Sequence, residues 1–323
     1  MESINPRIIS VSRRTDIPAY YADWLRQRME RGFTAYPNPH SGKPVFIDLR
    51  PESVRCFVFW TRNPHPLFKH LDYIDARYQR RHYMHITING LPETLEARNP
   101  KIDVALRSVA HLADRYGPDY VQWRFDPIII SSETPVELVV ERFADLSRRL
   151  AGMTRRCYFS FVDLYQKTRR NVATLERQGI RFDLRYSSGQ GDLALQSALA
   201  ATLRDVAAPH GITLHACAED QVQLLVPGIE KAHCVDAELV ERVARAGGMT
   251  AQWRPSRTDC GCIDSRDIGH YDSCPHGCIY CYANMNPETA LANARQYAQS
   301  GFPADQLEQP DAPAQAQTRL DLW

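Results

Sequence analysis

The sequence predicts an α/β fold: a partial (β/α)6 or full β/α barrel, followed by a C-terminal cysteine-rich extension. Short β-branched and aromatic runs alternate with amphipathic helical stretches, the pattern of parallel βαβ units. Six such runs can be counted before residue 220. Each run also ends in a polar or charged cluster, as strands do where a β/α barrel places its active site. A doubly wound sheet is the competing arrangement, because alternation alone does not specify closure.

The predicted strands are Ile8–Ser12, Cys56–Thr61, Tyr83–Ile88, Tyr120–Phe125, Cys157–Val162 and Ile212–Cys217. Apolar residues recur at helical spacing over Ala19–Arg31, which opens after Pro18, and over Asp103–Tyr116, Pro135–Leu150 and Leu193–Ala207. Arg181–Ser187 reads either as an extra strand or as part of a long connection through Gly189 and Gly191. The expected division is a barrel over 1–220, a cysteine-rich segment over 221–300 packing on its mouth, and a tail over 301–323. That tail is rich in Pro, Gln, Ala and Asp, a composition for a surface or disordered segment.

With 323 residues, 44% of them hydrophobic, the chain can bury a sizeable core. Its 39 basic and 38 acidic residues nearly cancel, so no field points to nucleic acid or an acidic membrane. No apolar run reaches the roughly 18 residues of a membrane span. The opening Met1–Arg7 lacks the apolar stretch of a secretory signal. A cytoplasmic location is therefore expected. In that reducing compartment, grouped cysteines mean metal or catalysis rather than disulfides.

Seven of the nine cysteines crowd into the last third. Cys56 and Cys157 lie inside apolar strands and read as core. Cys274, Cys278 and Cys281 have the spacing C-x3-C-x2-C. Three thiolates this close can hold three corners of a 4Fe–4S cluster, leaving one iron open for chemistry. Gly277 lets the loop turn sharply. A zinc knuckle with His276 as fourth ligand is the alternative. Cys217, Cys234, Cys260 and Cys262 make a second set of four, the number for a closed zinc site or a second, fully ligated cluster. Scattered buried thiols are the alternative there.

Other strand-end residues are candidates for binding or catalysis. Arg13, Arg14 and Asp16 follow the first strand, and an arginine fork suits a carboxylate or phosphate. Arg124 and Asp126 end the fourth strand. Both groups read equally as buried ion pairs organising the mouth. Asp163, Tyr165 and Lys167 follow the fifth strand and could bind substrate or transfer protons. Glu96 and Glu219 could hold an ammonium group or ribose hydroxyls. The nucleophile elbow, the phosphate-binding P-loop and the H-E-x-x-H helix are absent.

Several long motifs resemble the family called domain of unknown function 1848. They are Val11-Ser12-Arg13-Arg14-Thr15-Asp16-Ile17-Pro18, Phe59-Trp60-Thr61-Arg62-Asn63-Pro64, Trp123-Arg124-Phe125-Asp126-Pro127, Asp267-Ile268-Gly269-His270-Tyr271 and Cys278-Ile279-Tyr280-Cys281-Tyr282-Ala283-Asn284. They cover the chain from about Arg7 to Asn284. The three-cysteine spacing, with an aromatic residue before its last cysteine, also resembles the radical S-adenosylmethionine enzymes. That resemblance implies a core of six βα units and a 4Fe–4S cluster whose open iron binds S-adenosylmethionine. It further implies reductive cleavage of the sulfonium, an electron donor such as flavodoxin or ferredoxin, and an unknown substrate. The motif follows the last strand here rather than the first, as in thiamine pyrimidine synthase, and no Gly-Gly-Glu segment is present. The alternatives are an iron–sulfur enzyme that binds substrate at the open iron without S-adenosylmethionine, and a zinc-stabilised non-catalytic barrel protein.

Overall fold

The computed structural model describes residues 6–37, 43–244 and 259–300. The predicted tail 301–323 lies outside the described residues. Strand β1 (Arg7–Val11) leads through a single turn, α1 (Ile17–Tyr20), into α2 (Ala22–Arg31). A hairpin follows, β2 (Phe33–Pro37) antiparallel to β3 (Pro44–Asp48). Then come β4 (Val54–Thr61), α3 (Leu71–Tyr78), β5 (His82–Thr87), α4 (Ile102–Tyr116), β6 (Val121–Ile128), α5 (Val136–Leu150) and β7 (Arg156–Phe161). The chain continues through α6 (Gln166–Arg177), α7 (Leu193–Ala207), β8 (Thr213–Ala216), α8 (Asp220–Leu225), β9 (Glu230–Lys231), α9 (Ala237–Ala244), β10 (Arg266–Asp267) and α10 (Pro287–Ser300).

Eight strands form one parallel sheet in the order β10-β1-β4-β5-β6-β7-β8-β9. From β1 to β9 the order follows the chain, without the reversal that defines a doubly wound sheet. The α/β expectation holds, and all six predicted strands are present in this sheet. β9 and β10 come from residues beyond 220 and join the same sheet. Beyond β9, Ile263 N donates to Val235 O at 3.1 Å, so the approach to β10 packs on the exit from β9. Arg181–Ser187 holds a 3-10 turn, Leu184–Tyr186, and Ser187 bridges in parallel to Val162.

The two faces of the sheet differ in chemistry because side chains alternate along each strand. One face packs under helices. Phe57 meets Tyr78 of α3 edge-on with ring centroids 4.8 Å apart, and Trp123 stacks on Phe143 of α5 at 5.1 Å. Phe143 belongs to the stripe Val139, Phe143, Leu146 and Leu150, spaced to cover one side of α5. Cys56 and Cys157 are fully buried core residues, as their apolar neighbours predict.

The other face carries rings and charges. Trp60 stacks on His85 at 4.3 Å, His85 meets Tyr158 at 5.0 Å, and Tyr158 stacks on His215 at 5.1 Å. This row crosses β4, β5, β7 and β8. Arg124 of β6 lies 5.3 Å from the Trp60 ring centre and 5.9 Å from that of Tyr158, within cation–π range of both.

The junction of β1 and β10 is built around Asp267. Its carboxylate accepts hydrogen bonds from Ser10 Oγ (2.8 Å), Ser12 Oγ (2.6 Å), Arg13 N (2.7 Å) and Gly269 N (2.9 Å). Gly269 has no room for a side chain, since a Cβ there would stand 1.9 Å from Ser12 Oγ and 2.6 Å from Ser12 Cβ. Gly269→Ala is expected to destabilise the chain by about 2–3 kcal/mol through overpacking. Adding Ser12→Gly should recover part of that loss in a double-mutant cycle read by urea unfolding. Strict additivity of the two substitutions would refute the contact.

Candidate functional site

The strand-end residues gather into two polar centres joined by Asn89. The first lies where the cysteine loop docks. Asp16 caps α1, accepting from Ala19 N at 3.0 Å through Oδ1. Its Oδ2 accepts from Arg62 N at 2.8 Å and lies 2.8 Å from His276 Nε2. His276 Nδ1 in turn faces the Tyr20 hydroxyl at 3.1 Å. Arg62 Nη1 pairs with Glu96 Oε1 at 2.9 Å, and Tyr280 OH hydrogen-bonds to both side chains. Arg62 and Glu96 are nearly buried, so this pair resists screening.

The cysteine loop is fastened by backbone as well. Glu96 and Cys278 form an antiparallel bridge, Ile279 N donates to Leu95 O at 3.1 Å, and Arg98 N donates to His276 O at 3.0 Å. Helix α6 helps, with Asn171 Nδ2 donating to Ile279 O at 2.6 Å. Gly277 adopts a φ of 74°, the left-handed turn expected of it.

The second centre surrounds Arg124. Its Nε lies 3.1 Å from Asp126 Oδ2, and Nη2 bonds the same oxygen. Nη1 lies 3.2 Å from Cys234 Sγ, and Nη2 lies 4.0 Å from Cys217 Sγ. Burial disfavours the guanidinium charge, but Asp126 and the two sulfurs outweigh it and hold the group protonated. Ser160 Oγ donates to Asp126. Asn89 Oδ1 accepts from Asp126 N at 2.8 Å, while Asn89 Nδ2 donates to Glu96 Oε1 at 3.2 Å. One amide thus ties the two centres together.

Arg13 lies with its Nε 3.7 Å from Asp267. Arg14 donates to Gly269 O at 3.3 Å and lies about equally far from the rings of Tyr36 and Tyr271, 5.2 and 5.0 Å. Glu219 Oε1 accepts from Phe161 N at 3.0 Å, so this carboxylate fastens the end of β7. Tyr165 is exposed and Lys167 Nζ donates to Tyr282 O at 3.2 Å, so these two adjoin the end of the cysteine loop. Asp163 is half-buried two residues beyond β7.

The expected metal centres are corrected. Among the described residues, no group of three or more His, Cys, Asp or Glu side chains is arranged to hold a metal ion. Cys274, Cys278 and Cys281 lie in one loop, but a cluster needs their sulfurs turned toward a single point. The spacing permits that convergence without imposing it, and here the loop is shaped by its bonds to Leu95, Glu96 and Arg98. Burial first, then Asp16, pushes the Cys274 thiol up, and burial raises Cys278 to about 11 despite Arg62. Cys217, Cys234, Cys262 and Cys260 touch pairwise in a string rather than surrounding a centre. Cys217 Sγ and Cys234 Sγ are 3.6 Å apart, and Cys262 Sγ accepts from Val235 N at 3.4 Å. The 4Fe–4S cluster, the second cluster or zinc, and the S-adenosylmethionine that the open iron was to bind therefore have no ligand set among these residues.

Trp60, Arg62 and Asp267 enter the sequence reading only as members of family motifs, and His85, Asn89 and Tyr158 are given no role there. A signal was present. Tyr83, His85 and Thr87 alternate with Met84 and Ile86, and Gln122, Arg124 and Asp126 alternate with Trp123 and Phe125, so polar groups recur at every second position along both strands.

Among the described residues, no helix is long and apolar enough to cross a membrane. No curated protein and no solved structure matches the chain. A family model matches residues 8–283, most of the chain, and the chain accordingly belongs to the family described as Domain of unknown function (DUF1848).

Proposed function

We propose that this chain is an enzyme whose reacting centre lies at the carboxyl ends of β6, β7 and β8, with Arg124 as the group that stabilises negative charge. The observation that carries this reading is the buried Arg124 fork. Asp126 holds it, the rings of Trp60 and Tyr158 flank it, and its Nη1 lies 3.2 Å from a sulfur. A fixed, desolvated cation acts strongly on charge that develops beside it, because little water competes. Cys234, or an oxyanion on a small substrate, is the site of that charge. Asp126 and Asn89 position the fork, and Arg62 with Glu96 anchors the loop that covers this end of the sheet.

The arrangement is that of a barrel, with strand ends converging on one mouth. The singly wound strand order and the contact between residues 232–235 and 260–263 support it. A reducing cytoplasm suits a chain with nine thiols and no disulfide among them. No step here is routed through a metal.

The test is turnover of a small-molecule extract, followed by mass spectrometry. The reduced chain should consume at least one metabolite. Arg124→Lys keeps the charge but loses the fork, and should slow that consumption by about 100-fold or more. Arg148→Lys, on the exposed side of α5, should not change it. Equal consumption by all three proteins would refute the assignment.

A further inference from the structure

We infer that Cys217 and Cys234 are a reversible dithiol–disulfide couple set against Arg124. Their sulfurs lie 3.6 Å apart, at van der Waals contact, and a disulfide needs about 2.0 Å. The two residues leave neighbouring parallel strands: Cys217 follows β8, and Cys234 follows β9 by three residues. Closing the bond therefore asks for side-chain rotation and a small approach of two adjacent segments. Neither sulfur is now in a disulfide.

The roles of the two thiols follow from access. Cys217 is half-buried, whereas Cys234 is buried. A small oxidant meets Cys217 first, and Cys234 resolves the product. With hydrogen peroxide the chemistry balances in two steps. The Cys217 sulfur attacks one peroxide oxygen, the O–O bond breaks, and Cys217 becomes a sulfenic acid as one water leaves. Cys234 then attacks that sulfur, the S–O bond breaks, and a second water carries off the hydroxyl with the Cys234 proton. The two sulfurs together lose two electrons, and the two peroxide oxygens gain them. A dithiol reductant such as dithiothreitol reverses the bond by exchange.

Arg124 gives the pair its direction. The thiolate is the attacking species, and a guanidinium 3.2 Å from Cys234 favours it. The Cys234 hydrogen bond and then burial push the Cys217 thiol up. For Cys234 the Cys217 bond pulls down, while Cys262 and burial raise it to about 11. Closure should consequently quicken as pH rises. Disulfide formation also removes two ionisable thiols from beside Arg124, so the oxidation state of the pair alters the surroundings of the proposed centre. The inference does not require that this centre turn over a substrate, because it is read without one.

The experiment treats the full reduced chain with one molar equivalent of hydrogen peroxide, blocks remaining thiols with N-ethylmaleimide, and maps peptides by mass spectrometry. The expected result is one cross-linked peptide pair joining Cys217 to Cys234, lighter by two hydrogens and released by dithiothreitol. Cys217→Ser and Cys234→Ser should each abolish it while keeping the circular dichroism of the parent. If a variant fails to fold, the assignment is read from the parent chain alone. A Cys234–Cys262 link, or sulfinic acid at Cys217 with no cross-link, would overturn the proposal.

Discussion

Replacing Glu96 with alanine is expected to lower the melting temperature by about 4–8 °C. The substitution strips Arg62 of its partner at 2.9 Å while leaving the guanidinium at 12% side-chain exposure. Removing one member of a buried pair costs about 3–5 kcal/mol, because the remaining charge stays desolvated. A chain of this size loses roughly 1.5 °C per kcal/mol. Tyr280 and Asn89 lose an acceptor at the same time. Glu96→Gln keeps an oxygen acceptor and should cost less, about 1–3 kcal/mol. The consequence should be local as well as global. Glu96 also pairs with Cys278 through the backbone, so a loosened loop should expose its thiols. Alkylation of Cys278 and Cys281 should quicken in the alanine variant well below its melting temperature. Unchanged stability and unchanged alkylation would show that the Arg62–Glu96 pair does not hold this loop.

Acidification from pH 8 to pH 5 should destabilise the chain by about 4 kcal/mol through two histidines alone. Burial first, then Arg156, lowers His215 to about 4, and burial first, then Arg14, lowers His270 to about 4. Both groups are neutral in the folded chain over this range, whereas the unfolded chain protonates them near pH 6.5. The unfolded state therefore binds more protons between pH 6.5 and 4, and stability falls as pH falls through that window. At pH 5 each histidine contributes about 2 kcal/mol of this loss. His85, lowered by burial and by Arg124, and His82, lowered by burial against the pull of Asp75, act in the same direction. Carboxylates held low, such as Asp75, lose their contribution only at lower pH, below the ordinary carboxylate value. Urea unfolding at pH 8, 6.5 and 5 measures the slope. His215→Gln should flatten it by about 2 kcal/mol between the end points. A flat profile in the parent chain would mean that these imidazoles are protonated in place.

The parts of the fold that could be read in the sequence are the long, doubly covered ones. β4 and β6 are eight-residue runs buried on both sides, and the stripe of α5 is regular over fifteen residues. β9 and β10 are two residues each and have no composition of their own. They exist because β8 and β1 offer them a free edge. The polar face of the sheet was legible in part. Arg124 and Asp126 stand out as charged strand-end residues, while His85 and Tyr158 blend with core positions until the register sets them side by side.

Composition, local period and spacing belong to the sequence. They determined an α/β chain with parallel strands, placed reactive groups at strand ends, and put seven thiols in the last third. Which thiols meet is a different kind of fact. Cys217 and Cys234 are neighbours because β8 and β9 are, and Cys278 sits beside Glu96 because a loop from the far end of the chain bonds there. Such contacts join residues far apart along the chain, and no local spacing encodes the direction in which a side chain points once they form. That is why the tertiary structure, and not the C-x3-C-x2-C pattern, decided where the sulfurs face.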